Sequence, residues 1–165
     1  MTRTTEPRIE LVGLFDDGNR WDTSNTSFDF VPHIHEGEYN RNKPSEPQVA
    51  IEDDGPEPVD GGQTGLAGIP QSQNGKATQH MRGEPTIHCY SDRNDKAAEQ
   101  VGGHEPAKKI ADEISEEVKR IVRNNMQNYG MFHLLTWHGK SRNIETGVSE
   151  TLVEFACNIR YWYFI

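Results

Sequence analysis

The chain has two cysteines in 165 residues, little hydrophobic substance, few positive charges and no apolar run near the ~20 residues a membrane span needs. Each shortage excludes something. Cys89 and Cys157 each lie inside an apolar, strand-like pattern, so they read as small buried thiols rather than a disulfide framework or a reactive site. That in turn points to an intracellular compartment. The opening residues, Met1 to Pro7, lack the apolar core of a signal peptide. Hydrophobic residues make up 33%, low for a chain that must fill a globular interior, so part of it is expected to stay unpacked or to have its core completed by a neighbour. Lys and Arg number 17 against 26 Asp and Glu, a formal charge of −9. Such a surface repels phosphate, which argues against a nucleic-acid binder and against anionic membranes. The acidic balance, with Arg favoured over Lys, would suit a salt-rich setting as well as an ordinary soluble acidic protein.

Catalytic patterns are missing too. There is no G-x-S-x-G, H-E-x-x-H, P-loop or dinucleotide-binding glycine pattern. The glycine-rich string Gly61-Gly62-Gln63-Thr64-Gly65 is followed by neither Lys-Ser/Thr nor a helix start, which a phosphate cradle requires. His33 and His35 form an H-x-H pair that would share one face of a strand, but no spaced Cys/His/Asp cluster offers a third and fourth metal ligand. His88 and Cys89 are adjacent, so in a strand they point to opposite faces and cannot form a thiolate–imidazole pair. Glu116-Glu117 and Asp53-Asp54 are carboxylate pairs of a kind acidic surfaces produce by chance. The expectation is no enzyme, no metal and no cofactor.

What remains is a pattern of elements. Ile9, Leu11, Val12, Leu14 and Phe15 line a short helix that starts at Pro7 and ends at Asp16 to Asn19. Trp21, alone in a polar stretch, anchors a loop to the core. Phe28 to Ile34, broken by Pro32, forms an arm or an edge strand. Pro47 to Glu52 is a short strand. From Asp53 to Gly83 the chain is rich in glycine and proline, and Val59, Leu66, Ile69 and Met81 are its only sizeable apolar residues. Burying each gains about 1.5–3 kcal/mol, against about 1–2 kcal/mol for ordering every backbone residue, so this stretch is expected to be a long flexible loop in the free monomer. Glu84 to Ser91 is a strand. A polar linker follows, and then Ala107, Ile110, Ala111, Ile114, Val118, Ile121 and Val122 mark one apolar stripe of a long helix opened by Pro106. Phe132 to Trp137 is a strand, Gly139 to Gly147 a polar turn region, and Val153 to Tyr163 a long alternating strand. Trp162, Phe164 and Ile165 end it with more apolar surface than a chain end normally shows. Either a neighbouring copy or the protein's own N-terminal arm would cover them. The order predicts a single α+β domain: a sheet of about four strands, one long amphipathic helix packed on one face, a short N-terminal helix with an arm through residue 40, and a long loop over 53–83.

In this order of elements the chain resembles the tail terminator and tail completion (neck) proteins of long-tailed viruses, including those of haloarchaea. The likeness rests on the short N-terminal helix ending near Asn19 and Trp21, the strand Pro47-Gln48-Val49-Ala50-Ile51, the strand Pro85-Thr86-Ile87-His88-Cys89-Tyr90 after a variable loop, the helix around Ala111-Asp112-Glu113-Ile114, and two closing strands, the last from Phe155 to Tyr163. The resemblance implies a non-enzymatic virion protein that forms a homo-oligomeric ring, commonly a hexamer. Such a ring caps the tail tube, joins it to the head–tail connector proteins and lets DNA pass without specific binding. It would be assembled in the host cytoplasm and reside at the tail–neck junction, with no membrane role. The candidate contacts to other subunits or partners are then Val59, Leu66, Ile69 and Met81 of the loop, and Trp162 and Phe164 of the last strand. Another neck ring component, such as a head-closure or connector protein, and a non-viral peptide-binding adaptor domain stay open beside it.

Overall fold

The computed structural model describes residues 6–59, 79–144 and 152–165. In chain order they form helix α1 (Pro7–Phe15), two short 3-10 turns, strand β1 (His33–Glu36), β2 (Gln48–Glu52), β3 (Glu57–Pro58), β4 (His80–Gly83), β5 (Thr86–Asp92), helices α2 (Lys96–Val101) and α3 (Pro106–Asn124), and strands β6 (Gln127–Tyr129), β7 (Phe132–Ile144) and β8 (Leu152–Phe164).

The strands join in one mixed eight-stranded sheet curled into a half-barrel, which corrects the expected sheet of about four strands with one long helix. The reason lies in β8. Its 13 residues are long enough to pair on one side with β5 through Leu152–Asn158 and then with β4 through Tyr161–Phe164, while β7 runs antiparallel along the other side. One strand thus recruits three partners. The recruits include segments that look unlike strands in isolation. β3 and β4 are the two ends of the Gly/Pro-rich stretch 53–83, and their pairing with each other and with β8 turns them into sheet. β7 runs on past Trp137 through the expected turn region to Ile144, with a bulge at Trp137/Gly139 that absorbs the extra residue. β1 lies parallel to β2 at the sheet margin, and β6 covers the start of β7. The polar linker before α3 holds a further helix, α2, capped by Asp95, whose carboxylate accepts from the Ala98 amide at 2.7 Å.

The main core lies on the helix-bearing face, and a small second cluster of Ala50, Tyr90 and Leu152 with Tyr39 lies on the other. Ile110, Ala111, Ile114, Val118, Ile121 and Val122 of α3 pack against Ile87 and Cys89 of β5 and Cys157, Ile159 and Tyr161 of β8, and Leu11, Leu14 and Phe15 of α1 complete the cluster. Cys89 and Cys157 are both buried and unbridged. Trp21 is buried and donates from its indole nitrogen to the Phe15 carbonyl at 2.6 Å, closing α1 against the arm. The arm then runs across α3. Glu113 accepts from the Ser27 amide at 2.8 Å, and Glu117 accepts from the Asp22 amide at 3.1 Å. The opposite face of the sheet carries no helix among the described residues.

Candidate functional site

The helix-free face is set by the even positions of β8. Register places Glu154 beside Tyr90, Ala156 beside His88, Arg160 beside Thr136, Trp162 beside Arg82 and Leu134, and Phe164 beside His80. Two groups of side chains stand out on it.

The first is centred on His88. Its Nδ1 meets Glu154 in a short contact, and its Nε2 meets Glu52 at 2.8 Å, so both ring nitrogens are taken by carboxylates. Burial opposes the ring's charge, but the hydrogen bonds and charges of Glu154 and then Glu52 outweigh it and raise the His88 pKa above its ordinary 6.5. Gln48, fully buried, holds the β1–β2 connection over this spot. Its amide nitrogen donates to the Asn40 and Lys43 carbonyls at 2.9 Å each, and its oxygen accepts from the Asn40 amide at 2.7 Å. That connection brings Tyr39 edge-on to Tyr90 at 5.2 Å between ring centres. The result is a cleft of about 280 Å³ lined by Glu38, Tyr39, Arg41, Glu52, His88, Tyr90 and Glu154. Burial, with Asp92 and Asp95 nearby, pushes the Tyr39 phenol up to about 12, so it stays neutral. A histidine with both nitrogens engaged by carboxylates holds its proton more tightly than a free imidazole. It has no free nitrogen with which to take a proton from a substrate.

A consequence can be measured. A histidine whose folded pKa is raised adds stability that is complete below its unfolded pKa of 6.5 and is lost as pH rises through the folded value. His88→Gln is therefore expected to cost about 1–3 kcal/mol at pH 6 and clearly less at pH 9, read by denaturant titration at both. A cost that does not change with pH would contradict the ion-paired state.

The second group is the end of β8. Phe164 is 56% exposed and Ile165 69% exposed. The Phe164 ring stacks on His80 at 4.5 Å and on His133 at 4.9 Å, and the two imidazoles meet through their Nε2 atoms at 2.9 Å. Trp162 is half-buried beside Arg82 and Leu134.

The structure thus sorts the candidate contact residues. Trp162 and Phe164 share the helix-free face. Met81 lies in β4 opposite Tyr163 and is buried, so it serves the chain's own core rather than a surface. Val59 is half-buried just after β3, and its amide donates to the His80 carbonyl at 3.0 Å. Leu66 and Ile69 lie outside the described residues. His33 and His35 do share a face, stacked at 5.1 Å, but His35 Nε2 is engaged by the Glu38 carbonyl at 2.7 Å. Among the described residues no group of three or more His, Cys, Asp or Glu is arranged to hold a metal ion. Sequence reasoning did not reach the Glu52–His88–Glu154 clasp, because its members lie 36 and 66 positions apart. The one available signal was a buried-strand pattern interrupted by Gln48 and His88. Compared with known proteins, the chain matches no family model and no curated protein.

Proposed function

We propose that this chain is a structural virion protein that assembles into a homo-oligomeric ring, caps the tail tube of a long-tailed virus and joins it to the head–tail connector. The observation that carries this reading is the exposed aromatic end of β8. Two covers were open to it, the N-terminal arm or another subunit. The described part of the arm, from Glu6 onward, packs on the helix side of the sheet through Trp21, Asp22 and Ser27, and so lies away from Phe164 and Ile165. A second subunit is the cover we assign to it. The His88 clasp supports the same reading, since it spends its titratable groups on one another rather than on a reacting atom.

The test is absolute mass by light scattering across protein concentration and salt, with electron micrographs of any large species. A closed ring of about six copies supports the reading. A monomer throughout, binding extended peptides at a sheet margin, would instead favour an adaptor domain. Phe164→Asp is expected to raise the midpoint concentration of assembly at least about tenfold while leaving thermal unfolding near the parent's. Unchanged assembly would remove this corner from the interface.

A further inference from the structure

The two ends of the sheet carry opposite charge. At the end where β8 begins, Arg93, Lys108 and Arg142, with His104, one carboxylate (Glu105) and the first turn of α3, line a cleft of about 330 Å³. All three cations are exposed. Elsewhere among the described residues half of the cations meet carboxylates, as Arg20 pairs with Asp17, Arg120 with Glu117, Lys140 with Asp112 and Glu116, and Arg160 with Glu84. In a chain with nine more acidic than basic residues, Arg93, Lys108 and Arg142 have no ion pair among the described residues.

At the far end, the turn after β2 presents Asp53 and Asp54, with Glu57, which meets Arg82 at 3.6 Å, just beyond it; a second cleft of about 270 Å³ is lined by Glu6, Asp53, Asp54 and Pro56 and by Arg8, whose charge is met by Glu6 at 2.8 Å. The turn is held firmly. Asp53 Oδ1 accepts from the Gly55 amide at 3.0 Å, Asp53 Oδ2 accepts from the buried Tyr161 hydroxyl at 2.7 Å, and Gly55 sits at φ +101, where a side chain would be strained. Asp54 and Glu57 are exposed. Leu152 marks the basic end and Tyr161 the acidic end of the same strand, roughly 30 Å apart at about 3.3 Å per residue. The two surfaces therefore cannot meet within one chain.

Building on the ring reading, we infer that the Asp53–Glu57 turn of one copy docks into the Arg93–Lys108–Arg142 cleft of the next. A contact between two different patches repeats head to tail, and such a contact closes a ring when its rotation divides a full turn. The turn is preorganised, so little ordering entropy is lost on docking. A second copy is favoured over a polyanion such as nucleic acid, because a surface of net charge −9 repels a phosphate backbone over all its other contacts.

The test is charge exchange in the full chain. Arg142→Glu and Asp54→Lys are each expected to raise the midpoint concentration of assembly about tenfold or more in low salt, and the double variant to return it to within about threefold of the parent. Lys96→Glu, an exposed site that lines neither cleft, controls for net charge and should leave assembly near the parent's. Single variants that assemble like the parent, or a double variant no better than the singles, overturn the contact while leaving the ring reading in place. A parent that is monomeric at every concentration and salt overturns both. Titration with inorganic phosphate completes the test: binding that Arg142→Glu abolishes, without any effect of the exchange on assembly, would make the cleft a small-anion site and overturn the docking.

Discussion

Glu117→Ala is expected to lower stability by about 2–3 kcal/mol, since it removes the charged acceptor of several hydrogen bonds while the half-buried Arg120 keeps access to water. Glu117 projects from the middle of α3, its side chain only 4% exposed. Its two oxygens accept from Arg120 Nε at 3.0 Å and Nη2 at 2.8 Å, from Asn25 Nδ2 at 2.8 Å and from the Asp22 amide at 3.1 Å. Arg120 in turn bonds the Arg20 carbonyl. One carboxylate thus ties the arm to the helix at several points, and alanine would leave Arg120 without its carboxylate and the Asp22 amide without its acceptor. The arm should come loose first, as faster amide exchange over residues 20–27, before the sheet is affected. Acid provides a second check. Burial works against the Glu117 charge, but the bonds from Arg120, Asp22 and Asn25 outweigh it and lower the pKa below 4.5. The carboxylate's contribution is then present above pH 4.5 and lost as pH falls through the folded value, so the gap in stability between parent and variant should narrow as pH falls below 4.5. Equal exchange rates in the arm, or a cost under about 1 kcal/mol, would show that the arm is held mainly by Trp21.

Gly83→Ala is expected to cost about 3 kcal/mol, or about 6–12 °C in melting temperature for a domain of this size. A Cβ on Gly83 would lie 2.0 Å from Cζ and 2.2 Å from the hydroxyl of Tyr161. Tyr161 cannot easily withdraw. It is fully buried, stacked on Phe132 at 4.7 Å, and its hydroxyl donates to Asp53 at 2.7 Å. Either β4 separates from β8, or Tyr161 rotates and loses a bond to a charged acceptor. In the second case the Asp53 turn also loses its anchor, and assembly should weaken along with the fold. Adding Tyr161→Leu vacates the disputed space, and a double-mutant cycle should recover about 1 kcal/mol or more of the clash. Simple additivity of the two changes would refute the close approach.

Gly83 also shows where reading the chain residue by residue stops. Within 53–83 it reads as one more glycine of a flexible loop, yet it lies in β4 because β8 offers hydrogen bonds and Tyr161 demands the room. Likewise Glu117 belongs to a carboxylate pair that looks like surface, and it is buried because the arm returns across α3. Helix α2 could have been found: Asp95 followed by Lys96, Ala97, Ala98 and Glu99 is a capping residue before good helix formers.

Local periodicity was enough to place α1, α3, β2, β5 and β8, because a stripe such as Ile110, Ile114, Val118, Ile121 or an alternation such as Phe155, Cys157, Ile159, Tyr161 is written within one segment. The eight-strand sheet, the Glu52–His88–Glu154 clasp and the opposed charges of Arg142 and Asp54 were not accessible that way. Each depends on residues many positions apart that are brought together, or held apart, by pairing along β8. A strand's pattern reveals which of its faces is buried. It does not reveal how many partners its length can hydrogen-bond, and in this chain that number set the architecture.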